Sequence, residues 1–367
     1  MTKRFCLAGV LTMLSVGLMS AGRAAADGIA PFVGAQTDAV IYVDLSTIDM
    51  DALTALQQKI VAQLPPEQAD KIKQQQAQTD KQMAQARQWL DGFKKAGGKD
   101  IYIVVQLSGL FQGKPGALLV PLQPGVDSAV LAKFLNPNAG APADPNIPPN
   151  PMQPKTEVIG QMLVFAPGPM IDDFKTGNAQ PRTDLSDGLA ASGDAPVRIV
   201  LVPGSLKRSP MLGMFTAGMG GRGGQPGAQP AAPMSEPEWN NVTWVAISGS
   251  LPPKESGNFT CQCKDGDSAN AMADLINKKM QERKNDPQAQ QMGADADKLA
   301  AALKPTVDGT KVVINLDQET VDNVVIPMMI KASARNNPGP GPGAGAGAPP
   351  AQAVPPPQPG NGGGIPQ

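Results

Sequence analysis

The chain repeats one order of predicted secondary-structure elements. Residues 39–175 and 196–335 each predict strand, helix, strand, strand, helix, hairpin and helix. The strings Gly125-Val126-Asp127-Ser128-Ala129 and Asp265-Gly266-Asp267-Ser268-Ala269 stand at corresponding places in the two runs. Each unit must bury the apolar face of its own sheet, so the repeat constrains the architecture more than any single motif does. Two interpretations stay open: a true internal duplication, and a chance self-similarity of an alternating α+β chain.

The order strand, helix, strand, strand, helix, strand is that of the split βαβ, ferredoxin-like fold, whose antiparallel sheet carries both helices on one face. We therefore expect an α+β protein with two tandem, elaborated split-βαβ modules and mainly antiparallel sheets. The predicted boundaries are 27–190 for the first module and 191–335 for the second. The sequence does not decide whether the two sheets pack separately or join edge to edge.

The first 26 residues have the pattern of a signal peptide. Lys3-Arg4 precedes a mostly apolar run over residues 5–22, and Ala24-Ala25-Ala26 supplies the small residues that a signal peptidase recognises. We predict cleavage before Asp27 and export to the periplasm, the cell envelope or the medium; a retained membrane anchor is the alternative. No later stretch has enough consecutive apolar residues to span a bilayer, so no transmembrane segment is predicted in the mature chain.

Two segments have too few apolar side chains to form a packed core. Residues 218–237 are rich in Gly, Pro, Ala and Gln, and residues 336–367 contain no charged residue and little besides Pro, Gly, Ala, Gln and Asn. Such segments cannot bury enough apolar surface to offset their ordering entropy, so both are predicted to be disordered.

Charge and composition limit the partners and the core. Loss of Lys3, Arg4 and Arg23 with the leader, and of no acid, lowers the formal net charge from −1 to −4, which gives no reason to expect a nucleic-acid partner. Apolar residues make up 41% of the chain but aromatic residues only 4%, so we expect cores built mainly from aliphatic side chains.

The absence of histidine does most to narrow the chemistry. With no His in the chain, catalysis by a Ser-His-Asp or Cys-His set and the usual zinc and copper sites are excluded. An enzyme would have to use carboxylates, Lys, Tyr or Ser alone, and many glycosidases do use two carboxylates. Asp44, at the end of the first strand, is the leading candidate, although a turn or capping role is the simpler interpretation. Asp172-Asp173 is predicted to be solvated, and Asp265 and Asp267 are predicted to cap a helix because a calcium loop would need further ligands.

The remaining motifs give no site. Gly218, Gly220 and Gly223 match G-x-G-x-x-G, but no strand precedes them and a Pro-rich stretch follows. Met211, Met214 and Met219 beside this loop could form an adaptable binding lip, but core filling is the simpler role of the first two. Cys261 and Cys263 point to one face of a strand and are predicted to be buried thiols, with a strained disulfide as the alternative. No catalytic, cofactor-binding or metal-binding residue is predicted.

Several segments together resemble a known group of sequences. The leader, the strand 38–45, the strand 195–203 and the Pro/Gly tail are similar to those of uncharacterised exported proteins of planctomycete-type bacteria. This resemblance implies an exported α+β protein and carries over no functional residue.

Three functional hypotheses follow. The leading one is an exported, non-enzymatic binding or scaffold protein of the envelope, with an unknown protein or envelope component as its partner and no cofactor. The second is a carboxylate-dependent hydrolase of envelope polymers. The third is a self-associating structural subunit.

Overall fold

A computed structural model describes residues 27–64, 66–106, 116–136, 153–177, 182–206, 237–284 and 294–327. The predicted leader 1–26, the segment 218–236, the tail 336–367 and the glycine and methionine motifs between residues 211 and 223 lie outside these residues.

The first half of the chain begins with a 3₁₀ helix (Asp27–Phe32) that the sequence did not predict. Five strands and five helices follow it in the described part of this half. The strands are β1 (Ala39–Asp44), β2 (Asp100–Val105), β3 (Ala117–Pro121), β4 (Pro154–Ile159) and β5 (Met162–Pro167). The helices are α1 (Met50–Ala62), α2 (Pro66–Lys95), α3 (Ser128–Leu135), α4 (Gly168–Thr176) and α5 (Thr183–Ala191). Asp49 and Asp127 accept backbone N–H bonds at the starts of α1 and α3, which fixes where these helices begin.

The second half repeats the run of five strands: β6 (Val197–Leu201), β7 (Val242–Ser250), β8 (Ser256–Cys263), β9 (Thr306–Asp308) and β10 (Lys311–Leu316). Its helices are α6 (Pro203–Leu206), α7 (Gly266–Lys284), α8 (Ala294–Ala302) and α9 (Gln318–Thr320), which continues into a π-helical turn (Val321–Val325). Helix α8 was not predicted. The hairpin predicted at Asp308-Gly309 is confirmed, and Gly309 has the positive φ that such a turn requires.

The ten strands of the described residues form one antiparallel sheet. The order is β4-β5-β3-β2-β1-β6-β7-β8-β10-β9. The α+β class and the mainly antiparallel pairing are therefore confirmed. The sheet joins edge to edge at β1 and β6, where Val43 lies opposite Val197. Outward from this junction, the two halves have the same strand order.

The ferredoxin-like order predicted from the sequence is not the one found. In a split βαβ unit, the strands joined by the first helix are parallel and a third strand lies between them. Here β1 and β2 are antiparallel neighbours, with Asp44 opposite Asp100. The reason is that two successive helices, α1 and α2, connect these strands; the second helix returns the chain to the end of the sheet that it left.

Helices cover both faces of the sheet, whereas the ferredoxin-like fold would place them on one. Successive strand residues point to opposite faces. Val40 and Tyr42 pack with the N-terminal 3₁₀ helix, α4 and α5 in one core. Val43 packs on the other face, in a core with α2 and α3. On that same face, Val245, Cys261 and Val312 lie opposite one another in neighbouring strands and pack against α7.

The halves also share their cores. Val200 and Trp244, from β6 and β7, lie in the same buried cluster as the N-terminal 3₁₀ helix and α4. The π-helical turn near the end of the described chain packs on α1, where Val321 and Ile326 meet Leu56 and Ile60. Among the described residues, no helix is both long enough and apolar enough to cross a membrane.

Candidate functional site

A cavity of about 730 Å³ opens at one end of the sheet. The end of β1, the start of β2, the end of β3, the β4–β5 turn and β6 line it, and the N-terminal 3₁₀ helix closes one side. Because neighbouring strands are antiparallel, the end of one strand lies beside the start of the next, at the same end of the sheet. The cavity therefore combines residues that lie far apart in sequence.

The floor of the cavity is a row of side chains in cross-strand register. Arg198 on β6 lies opposite Tyr42 on β1, which lies opposite Tyr102 on β2. The guanidinium carbon of Arg198 is 3.8 Å from the centre of the Tyr42 ring. The Tyr42 and Tyr102 ring centres are 4.9 Å apart. A cation over an aromatic face next to a second ring forms a stable, preorganised surface.

The two tyrosines stay neutral. Tyr42 donates a 2.8 Å hydrogen bond from its hydroxyl to the Asp100 carboxylate. Burial, and then the nearby Asp100 charge, raises the pKa of Tyr42 above its usual range. Burial likewise raises the pKa of Tyr102. Both phenols therefore keep their protons at physiological pH.

Asp100 is a half-buried carboxyl group beside this row. Burial raises its pKa, and the hydrogen bond from Tyr42 opposes that rise. Lys99 and Arg198 also lower the pKa of Asp100, whereas Asp44 raises it. The carboxyl of Asp100 therefore lies near both positively and negatively charged side chains, whose effects on its pKa oppose each other.

Asp44, the leading candidate from the sequence, lines the same cavity. Its carboxylate accepts hydrogen bonds from the backbone N–H and the hydroxyl of Ser46, and it caps the 3₁₀ turn Leu45–Thr47. The predicted capping role is confirmed. The structure adds that Asp44 and Asp100 face each other across β1 and β2.

The other acidic candidates lie elsewhere. Asp172 and Asp173 are exposed on α4, as predicted. Asp265 caps α7 by accepting the N–H of Ser268. Hydrogen bonds from the Ser268 side chain and then from its backbone lower the pKa of Asp265. The prediction of Asp267 as the cap is wrong, because the helix begins one residue earlier, at Gly266.

Cys261 and Cys263 are free and buried, as expected. A hydrogen bond between the two thiols raises the pKa of Cys261 and lowers that of Cys263. They lie in the core under α7, on the face of the sheet opposite the cavity floor. Within the described parts of the chain, no group of three or more acidic or cysteine side chains could hold a metal ion.

Sequence reasoning missed Arg198, Tyr42, Tyr102 and Asp100 as site residues. One signal was available: Arg198 is the single charged residue in the apolar strand Val197–Leu201. The pairing of Tyr42 with Asp100 depends on the β1–β2 register, which the sequence did not specify. Comparison with protein-family models, with curated proteins and with solved structures finds no match to this chain.

Proposed function

We propose that this chain is an exported, non-enzymatic binding protein of the cell envelope, and that the cavity holding Tyr42, Tyr102 and Arg198 is its ligand site. The observation that carries the proposal is the preorganised row of a guanidinium and two phenol rings on the cavity floor. Concave sites with aromatic walls and a few fixed polar groups are typical of small-molecule binding. The leader-like N-terminus supports export.

Binding is favoured over catalysis by how the acidic groups are used. The Asp44 carboxylate accepts hydrogen bonds from the turn after β1. The Asp100 carboxylate accepts a hydrogen bond from the Tyr42 hydroxyl. A general acid or base must instead be free to reach a proton of the substrate. Both carboxylates serve to hold the cavity wall in this structure.

We also propose that the two halves arose by duplication of one five-stranded module. The identical strand order on either side of the β1–β6 junction supports this. The cavity then marks where the halves differ: the N-terminal 3₁₀ helix lines it through Gly28, Pro31 and Phe32, and packs with α4 in the core of the first half.

The test of the binding function uses the two tyrosines of the chain, both of which line the cavity. Protein labelled with 3-fluorotyrosine gives two ¹⁹F NMR signals that report on this site alone. We expect at least one class in a panel of sugars, amino acids, short peptides and organic acids to shift both signals.

A cavity-blocking variant makes this test specific. Gln123 is exposed on the cavity lining, and Gln123→Trp places an indole there without disturbing the core. Gln82→Trp, on the exposed surface of α2, is the matched control. Binding should be lost in Gln123→Trp and kept in Gln82→Trp; a folded wild-type protein that responds to no compound would overturn the proposal.

One observation favours a second candidate, a carboxylate-dependent hydrolase. Asp44 and Asp100 face each other in the cavity, and the pKa of Asp100 is raised, as that of a general acid must be. On this alternative, Asp100→Asn and Asp44→Asn each abolish turnover of a glycan substrate. Binding without turnover in the wild-type protein would eliminate it.

A further inference from the structure

Arg198 is a buried cation with unused hydrogen-bond donors. The residue is only 4% exposed. One terminal nitrogen donates to the Gly193 carbonyl at 2.8 Å, while the buried Nε has no partner. Among the ion pairs of the described residues, none involves Arg198. A buried charge without an ionic partner is costly, which points to a missing counter-ion.

The guanidinium is held in place from two sides. The Tyr42 ring lies beneath it, and the Gly193 carbonyl fixes one end. Tyr42 is itself fixed by its hydrogen bond to Asp100. A planar guanidinium that is already oriented loses little freedom when a ligand binds, and its geometry suits the paired oxygens of a carboxylate, sulfate or phosphate.

Within the described ranges, no carboxylate pairs with the Arg198 guanidinium. Asp100 is close enough for Arg198 to lower its pKa, but its carboxylate accepts the Tyr42 hydroxyl rather than a guanidinium N–H. Lys99, exposed on the cavity lining, adds a second cation near the opening. Asp194 is also exposed on the lining, so a ligand must approach past groups of both signs.

We propose that the cavity binds its ligand through an oxyanion, a carboxylate, sulfate or phosphate group, that pairs with Arg198. This inference rests on the proposed binding function and names the chemistry that the site recognises. Tyr42 and Tyr102 form the floor of this subsite beside Arg198, and the exposed Lys99 attracts the anion.

The probes are sodium acetate, sodium sulfate and inorganic phosphate, titrated into 3-fluorotyrosine-labelled protein at constant ionic strength set with sodium chloride. We expect at least one oxyanion to shift both ¹⁹F signals saturably, whereas chloride and the neutral probe glucose do not. Which oxyanion binds most tightly identifies the group that the ligand carries.

Substitutions of Arg198 and Asp100 should change the oxyanion affinity in opposite directions. Arg198→Gln removes the paired cation, so the affinity should fall by about thirtyfold or more. Asp100→Asn removes a nearby negative charge and keeps an acceptor for Tyr42, so the same oxyanion should bind more tightly. Arg87→Gln and Asp172→Asn make the same charge changes outside the cavity and should leave the affinity unchanged.

The outcomes separate this inference from the binding function. Tyrosine signals that respond to neutral compounds but to no oxyanion would overturn the inference and leave the function standing; signals that respond to nothing would overturn both. If Arg198→Gln does not fold, Asp100→Asn and Lys99→Gln decide. Weaker oxyanion binding in Asp100→Asn would overturn the proposal that the cavity binds an oxyanion through Arg198. Unchanged binding in both Asp100→Asn and Lys99→Gln would overturn it as well.

Discussion

At the scale of single residues, Asp100 links the stability of the fold to the charge of the cavity. Its carboxyl faces Tyr42, Lys99, Asp44 and Arg198, and burial is the main reason that its pKa is raised. A carboxyl with a raised pKa binds its proton more tightly in the folded than in the unfolded protein. Its contribution to stability is therefore fully present below the unfolded-state pKa, about 3.9, and is lost as the pH rises through the folded-state value.

Asp100→Asn removes this titration. We expect the difference in unfolding free energy, variant minus wild type, to increase as the pH is raised from about 3 toward 7, because only the wild type loses stability in the window above about 3.9. Urea unfolding at a series of pH values measures it. Asp172→Asn, an exposed control, should show no such upward trend, and a difference that decreases with pH would contradict the raised pKa.

At the scale of elements, close packing fixes where α5 lies on the sheet. Gly188 on α5 faces Val200 and Trp244, and a Cβ atom built on it would lie 2.4 Å from Val200 Cγ1. Val200 is fully buried and β-branched, so it has little freedom to move away. The contact requires glycine at this position.

Gly188→Ala should destabilise the protein by about 1–3 kcal/mol, because the added methyl group overpacks the core. Gly204→Ala is the matched control: no atom lies within 4 Å of its added Cβ, so its effect should stay within about 0.5 kcal/mol. Chemical denaturation of both variants gives the two values. Equal stabilities would show that α5 packs less closely than described.

The sequence predicted elements well where local patterns decide them and failed where tertiary contacts do. The β-branched run before Asp44 and the turn at Asp308-Gly309 gave strands β1, β9 and β10 close to their observed bounds. The N-terminal 3₁₀ helix was missed because it has no local sequence pattern of its own. Its apolar residues are ordered by packing against α4 and α5 in a shared core. Helix α8 was missed because its sequence contains only one large apolar residue, Leu299.

At the scale of the whole molecule, the sheet runs unbroken through the junction of the two halves. The sequence predicted two α+β modules but could not specify whether their sheets join, because pairing of β1 with β6 is a contact between edge strands with no local signature. The candidate site was missed for the same reason: the junction places Arg198 over Tyr42. Asp44 at the end of β1 was the one lining residue singled out from the sequence, and Arg198 in its apolar strand was the further residue that the sequence could have indicated.

A continuous sheet with shared cores should unfold as one cooperative unit. Trp89 reports on α2, and Trp244 reports on β7. Protein labelled with 5-fluorotryptophan gives a third ¹⁹F signal, from Trp239. We expect the signals of Trp89 and Trp244 to convert at the same urea concentration, because clusters of buried residues connect the halves. Separate midpoints would indicate two independently stable modules.

The most direct test of the central claim is to locate an oxyanion in the crystal. Selenate resembles sulfate and its selenium scatters anomalously, so a crystal grown with selenate reveals the position of each bound anion. We predict an anomalous peak in the cavity, with selenate oxygens at hydrogen-bond distance from the Arg198 guanidinium and beside the Tyr42 ring. If selenate bound only at other surfaces while the cavity was accessible and empty of it, oxyanion binding by Arg198 would be contradicted.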